Sequence, residues 1–498
     1  MEEKLDRAVI VGGGIAGLTA GILLASHGVK VVLVEQHFAL GGYLQGFSRK
    51  GLHFETGLHY VGACLPGQAF ARYLTLLGVY DDLTFLTAPH NTVGRVILPN
   101  GRYVAAPQGL DAFAELAKSE FPKEREGIEA LLREVRQCLQ VTSWLDLREK
   151  VADISAYYTY STLSADAVIR SHVSDPELIA FLSAFCFGTA MLPTECPFTL
   201  YTVMTHTLLS SCCGIQGGGR EFVAILRKRL ESLGGRVILG NGARSIVQDG
   251  KRLSALVLED GTTLDLDVLI STCHPSETVR FVGRERFSSS FLDNLESLDM
   301  SNGSFKLYLE LEAPVAALGA DRWILCDSEW PGGLYLASPS ALDTSYGSRH
   351  CLDILAWQNF SAVERWQESR RGRRPADYET FKQETANRLL ARVARDFPEI
   401  PAAIKHRYTS TPLTNLDYIR SARGAAMGIR QDITQQGKRH IRPRNKTRNL
   451  FLAGQSVSFP GILGAVVGAT EVCDGLLGAE VDLFRKLQEC PFRPGQTP

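Results

Sequence analysis

Three consecutive glycines, Gly12, Gly13 and Gly14, follow the apolar run Ala8-Val9-Ile10-Val11, with Gly17 three residues on. A second apolar run over residues 29–34 ends at Glu35, 18 residues past Gly17. Together these predict strand, tight turn, helix, strand and acid, which is the dinucleotide-binding βαβ unit. Gly12 permits the turn, Gly14 lets the backbone approach a pyrophosphate, and Gly17 lets helix and strand pack closely. The helix opening at Ile15 and Ala16 aims its N–H groups and positive dipole end at the phosphates. Glu35, followed by Gln36, is expected to accept hydrogen bonds from a ribose hydroxyl. The alternative is a glycine-rich turn in an ordinary βαβ unit, and the acid at the right distance argues against it.

A chain of 498 residues leads us to expect two or three domains. With a formal charge of −1 there is no electrostatic case for nucleic acid as a partner. Eleven cysteines without a C-x-x-C pair point to reduced thiols and a cytoplasmic setting. Adjacent Cys212 and Cys213 read as pocket or core lining rather than a redox pair. The charged first seven residues leave no room for a signal peptide before a strand expected at about Ala8. No apolar stretch reaches the ~18–20 residues of a membrane span. Nothing in the spacing of His, Cys, Asp or Glu suggests a metal site.

Further along, helical spacing is expected over 111–150 and again over 221–233, the latter ending at Gly234-Gly235. Strand patterns follow at 236–239, 243–248 and 253–259, and Asp260-Gly261 turns into 262–267, with a buried strand over 266–272. Residues 302–360 are β-rich and 376–395 helical. A short strand at 449–454 closes on Gly454 and leads into a helix start rich in small residues, which includes Gly464 and Ala465.

Between residues 178 and 219, Glu195 is the sole Asp, Glu, Lys or Arg. Pro193 and Pro197 exclude one continuous helix there. Two compatible readings are the core of a second domain and an apolar substrate tunnel. Basic clusters at 370–374 and 438–448 read as solvated surface or as contacts with anionic lipid headgroups.

Three separated segments look cofactor-directed: the first forty-two residues, 235–276 and 454–468. A simple NAD domain has no use for the distant C-terminal glycine element, whereas a flavin domain of the glutathione-reductase type does. No second G-x-G-x-x-G follows a strand, so a dedicated NAD(P) domain is not expected. The fold class expected is α/β: a glutathione-reductase-type, FAD-binding Rossmann domain with an inserted α+β substrate domain. Residues 1–80, 215–300 and 448–498 are assigned to the first, and 81–214 and 301–447 to the second.

The segments Val9-Ile-Val-Gly-Gly-Gly-Ile-Ala-Gly17, Glu35 with Gly41-Gly42, and Leu452-Ala-Gly-Gln455 with Gly464-Ala465 resemble the flavin amine oxidase and phytoene desaturase superfamily. Within it, Gly51-Leu-His-Phe-Glu-Thr-Gly-Leu-His-Tyr60 is similar to the matching segment of all-trans-retinol 13,14-reductases (retinol saturases) and carotenoid isomerases. So are Thr411-Pro-Leu-Thr-Asn415 with Tyr418, and Arg423-Gly424-Ala425. Residues 80–215 and 300–400 carry no family pattern. The resemblance implies non-covalent FAD and a polyene or isoprenoid-like lipid substrate. Carried over by position, Gly12, Gly14 and Gly17 hold the pyrophosphate and Glu35 the adenosine ribose. Gly41, Gly42, Thr56 and Gly57 lie along the cofactor, Ala243 contacts adenine, and Gly454, Gly464 and Ala465 face the flavin end.

His59 and Tyr60 are the candidates for a proton donor or polar anchor, against the reading of His59 as a structural histidine. Tyr418 and His206 are candidates for the substrate pocket, and His274, like His206, otherwise reads as structural. The expected activity is saturation first, isomerisation second and desaturation third, with the external electron donor or acceptor unassigned. The rivals are a non-catalytic prenyl or lipid carrier of the GDP-dissociation-inhibitor type, and an amine oxidase. An amine oxidase needs an aromatic cage beside the flavin, and the sequence displays none. A peripheral membrane contact is left open.

Overall fold

The computed structural model describes residues 5–490 apart from 144–146, 149, 251 and 331. The first four residues of the charged leader and the end of the helical stretch expected to reach residue 150 therefore fall partly outside it. Near the amino terminus, Arg7–Val11, Ile15–Ser26 and Lys30–Glu35 form the expected strand, helix and strand. These two strands sit inside a five-stranded parallel sheet. Its order is Arg236–Leu239, Lys30–Glu35, Arg7–Val11, Val268–Ser271 and Leu450–Leu452.

The sheet thus gathers strands from three distant parts of the chain. Its central strands are nearly continuous apolar runs, because a parallel sheet is covered on both faces. Ala8, Ile10, Val31 and Leu33 pack on one side against Ile15–Ser26, Gly218–Ser232 and Gly461–Leu477. Val9, Val11 and Val34 face the other side, where the three-stranded sheet of Ala243–Asp249, Arg252–Leu258 and Thr263–Asp265 covers them. Alternate residues of each strand therefore enter two different cores.

A second, seven-stranded sheet runs in the order Ile404–Ser410, Gly303–Leu311, His350–Gln358, Leu334–Ala337, Arg322–Leu325, Thr92–Ile97 and Tyr103–Pro107. All its pairs are antiparallel except Thr92–Ile97 with Arg322–Leu325. One face packs on the helix Ala376–Val393 through Leu307, Leu309, Ile354 and Leu389. The other face carries Tyr335, Ala337 and Leu355 and meets Phe187.

Helical spacing over 111–150 is realised as two helices, Leu110–Glu120 and Arg125–Gln140. The break falls at Phe121-Pro122, where proline cannot continue the ladder of the preceding turn. The charge-poor stretch folds into Pro176–Ser183, the 3-10 turn Ala184–Thr189 and the helix Phe198–Ser210. Among the described residues, no helix is long and apolar enough to cross a membrane.

Candidate active site

Segments far apart in sequence meet along one cavity of about 1480 Å3. Gly12, Gly14, Ile15 and Ala16 line it from the first turn and helix, and Glu35, Gln36, Gly41 and Gly42 from the second strand and the loop after it. Thr56, Gly57, His59 and Tyr60 continue the wall, Ala243 joins from the small sheet, and Gly454, Gly464 and Ala465 close it from the C-terminal element.

The turn is built by its glycines in different ways. Gly12 has φ +107°, a conformation side chains rarely adopt. Gly17 lies beneath the turn rather than on the cavity wall: a Cβ there would come 1.9 Å from Gly12 O. At Gly14, by contrast, a Cβ would meet nothing within 4 Å. The cradle is open at that point, and a side chain would fill space that a closely seated pyrophosphate needs. Glu35 braces the turn, since Oε2 accepts from Gly13 N (2.7 Å) and Oε1 from His37 N (2.8 Å). Each carboxylate oxygen retains a second acceptor site for a ribose hydroxyl. These features fit a dinucleotide with its pyrophosphate at the helix N-terminus.

The cavity is larger than the about 300–1,000 Å3 of a single small-ligand pocket. Its far end is apolar and aromatic, with Phe187, Met204, Leu208, Tyr335, Leu355 and Trp357 on the wall. The Phe187 ring stacks on Tyr335 at 5.9 Å and lies 5.1 Å from Trp357. An aromatic wall is thus present that the sequence did not display, because its members come from three separate elements.

A buried cation stands beside this wall. Lys306, buried in the middle of Gly303–Leu311, donates through Nζ to Thr56 O and lies 3.0 Å from His59 Nε2. Asp353 Oδ2 is 3.9 Å from His59 Nδ1. Burial lowers the Lys306 pKa, against the opposing pull of Asp353 and Glu55. Burial raises that of Asp353, which Lys306 counteracts. His59 is held neutral by burial and then by the charges of Lys306 and Arg322. Tyr60 is raised by burial, so its hydroxyl stays protonated, and Arg322 lies over its ring at 5.8 Å.

His59 and Tyr60 therefore line the cavity, and Lys306 sets a buried charged group beside His59 in the same wall. The sequence signal for Lys306 was a lone lysine inside a strand otherwise reading as buried. Tyr418 lines the cavity, under the Arg371 guanidinium (4.5 Å) and 6.2 Å from the His37 ring. His206 does not line it, which corrects the expectation for that residue. Met204, Thr207 and Leu208 share the cavity-facing side of Phe198–Ser210, and position 206 falls on another side of the helix, toward Ser210. His274 lies near Ala243 on the cavity wall and caps the helix Pro275–Val282.

Comparison with known proteins adds four findings. Residues 15–477 match the family described as flavin containing amine oxidoreductase. The chain is 25% identical to the all-trans-retinol 13,14-reductase of Danio rerio, covering 94% of this chain and 85% of that one. It is 24% identical to the chloroplastic prolycopene isomerase of Arabidopsis thaliana, covering 97% and 84%. Among solved structures, an oxidoreductase from Methanosarcina mazei shares the fold with a TM-score of 0.68 at 16% identity, covering 94% of this chain and 99% of that one.

Proposed function

The chain belongs to the family of flavin-containing amine oxidoreductases and is an FAD-dependent oxidoreductase; on that premise we propose that it acts on carbon–carbon double bonds of a lipophilic polyene or isoprenoid-like molecule. The observation that carries this reading is the two-ended cavity. A glycine cradle suited to a dinucleotide runs into an aromatic, apolar chamber with Lys306 in its wall. Saturation ranks first, isomerisation second and desaturation third.

When bound, FAD supplies two-electron chemistry, exchanging a hydride with carbon. We assign Gly12 and Gly14, with Ile15 and Ala16, to the pyrophosphate, with Gly17 packed beneath the turn as its support, and Glu35 and Gln36 to the adenosine ribose. Ala243 is assigned to adenine, and Gly41, Gly42, Thr56, Gly57, Gly454, Gly464 and Ala465 to the remaining length of the cofactor. Phe187, Tyr335 and Trp357 would flank a conjugated chain and exclude water from it. An ammonium has three donors, and at Lys306 two of them are taken by Thr56 O and His59 Nε2. The third remains for a molecule in the cavity, which makes Lys306 the proposed proton-bearing group, with His59 as its support.

The division into a cofactor-binding body (1–80, 215–300 and 448–498) and a substrate body (81–214 and 301–447) is supported by the two sheets, which draw on separate segments. Exposed Phe38 lines the cavity, as do Arg49, Arg371 and Arg420. This supports a lip that rests on an anionic lipid surface while the substrate enters. Eleven free thiols support a reducing, cytoplasmic compartment.

The test is anaerobic photoreduction followed by mixing with candidate polyenes. Reoxidation of the flavin by the lipid indicates saturation, and a new geometric isomer with the flavin still reduced indicates isomerisation. Bleaching of oxidised flavin by the lipid indicates desaturation. A purified protein that is colourless and takes up no FAD would overturn the enzyme reading and favour a lipid carrier. Turnover of an amine with peroxide release would favour an amine oxidase.

A further inference from the structure

Lys306, Tyr308, Tyr335, Asp353 and Leu355 point to one face of the seven-stranded sheet. Lys306 stands opposite Leu355, Tyr308 opposite Asp353, and Leu355 opposite Tyr335, and cross-strand partners share a face. Asp353 is thus built into the same face as Lys306, with its side chain 3% exposed. Both its carboxylate oxygens and His59 Nδ1 are buried without a hydrogen-bond partner in the protein. The 3.9 Å between Asp353 Oδ2 and His59 Nδ1 is too long for a direct bond and suits a shared water molecule. Beside His59 lies a second pocket of about 50 Å3, which Glu55, Arg322, Ser338 and Asp343 line in part and Asp353 does not. That is room for water with polar partners. Among the described residues, His59 alone lines both this pocket and the large cavity.

We propose that Asp353 is a positioning residue: through a bridging water it keeps a proton on His59 Nδ1, so that Nε2 stays an acceptor and holds the Lys306 ammonium toward the cavity. The inference deepens the function proposed above, because Lys306 is the group that faces the substrate. In its ionised form, which the Lys306 ammonium favours, Asp353 behind a neutral imidazole selects the tautomer and fixes the ring in the same manner as the carboxylate behind many metal-binding and catalytic histidines. The charged and titratable groups around this pair include Glu55, Tyr60, Tyr308, Arg322, Tyr335, Tyr346, Cys212 and Cys351, and none of them bonds to Nδ1.

The test reads the His59 tautomer by nitrogen NMR on the flavin-loaded protein labelled with 15N-histidine, the signals being identified by their loss in His59→Gln. In wild type, Nε2 is expected bare and Nδ1 protonated. Lys306→Met removes the other group that could select the tautomer and also the charge that lowers the Asp353 pKa, so it is read at a pH at which Asp353 is ionised, where the proton is expected to stay on Nδ1. In Lys306→Met/Asp353→Leu it is expected to redistribute to Nε2, and glutamate at position 353 should retain the wild-type pattern. With Lys306 intact, Asp353→Leu should lower turnover of a polyene by at least about tenfold. A proton on Nε2 in wild type or in Lys306→Met would overturn the proposal. So would an unchanged tautomer in the double variant. Because this readout needs no substrate, a failure of polyene turnover would count against the proposed reaction and leave the assignment of Asp353 to be judged separately.

Discussion

Lys306 Nζ and His59 Nε2 lie 3.0 Å apart, joining a buried strand of the large sheet to the loop that follows the strand Leu52–Glu55. The contact places a buried ammonium in the wall of the aromatic chamber. Burial brings its pKa down from 10.5 to about 8. A proton held on Nζ is therefore present below that value and lost above it. Turnover should fall on the alkaline side with a midpoint near 8. Lys306→Met should abolish that limb and lower kcat by on the order of 10²–10⁴-fold, with flavin content unchanged. Steady-state kinetics across pH, with absorbance to count bound flavin, checks both. Wild-type turnover in the methionine variant would remove Lys306 from the reaction.

Gly14 and Gly17, three residues apart, give opposite expectations. Gly14 has φ −74° and ψ −177°, which alanine adopts freely, and its Cβ would enter open space. Gly14→Ala should leave the flavin-free protein as stable as wild type, or about 0.4–1 kcal/mol more stable. Its FAD affinity should nevertheless fall at least tenfold, because the added methyl occupies the place of the pyrophosphate. Gly17→Ala drives a methyl onto Gly12 O, and a fold without cofactor should lose about 1–3 kcal/mol. Denaturant melts of both apo-proteins, with FAD titration, separate the two roles. Equal FAD affinity in Gly14→Ala would place the pyrophosphate elsewhere.

The cofactor half of the fold was legible because its signals are local or strictly periodic. Val9, Val32 and Leu269 stand side by side in a sheet whose strands announce themselves as apolar runs. The substrate half was legible as β-rich texture without an order. Pairing of Thr92–Ile97 with Arg322–Leu325 joins strands more than two hundred residues apart, and no local pattern encodes such a contact. The same distance hides the polar heart of the site. Lys306, Asp353 and His59 come from three elements, and each alone reads as an isolated buried charge or a structural histidine. His206 illustrates the converse: a histidine in an apolar helix looks functional until the helix is oriented.

Met204 faces the apolar chamber one turn from Leu208, and a Cβ on Gly188 would come 3.3 Å from its Cε. The chamber is thus already snug at this level. Met204→Trp should shorten it and discriminate by chain length. We expect kcat/KM for a long polyene to fall about 10–200-fold, with a shorter analogue affected less and flavin content unchanged. A series of polyenes of graded length supplies the measurement. Uniform loss across the series would place the substrate outside this chamber.

His274 titrates against the fold. Its Nδ1 lies 2.7 Å from Ser276 Oγ and accepts from Ser276 N at 3.3 Å, capping Pro275–Val282, while Nε2 is buried without a partner. Burial lowers its pKa from 6.5 to about 4. The folded protein then keeps the ring neutral while the unfolded chain takes up a proton below 6.5. The stability contributed by the neutral ring is complete above pH 6.5 and declines as pH drops toward 4. Asparagine at this position offers a capping oxygen and does not titrate. Between pH 6.5 and 4, the Tm of His274→Asn should fall less steeply than that of wild type. Every other acid-sensitive group is common to both proteins, so the difference in slope isolates this ring. Parallel curves would mean that His274 is as readily protonated in the folded protein as in the unfolded chain.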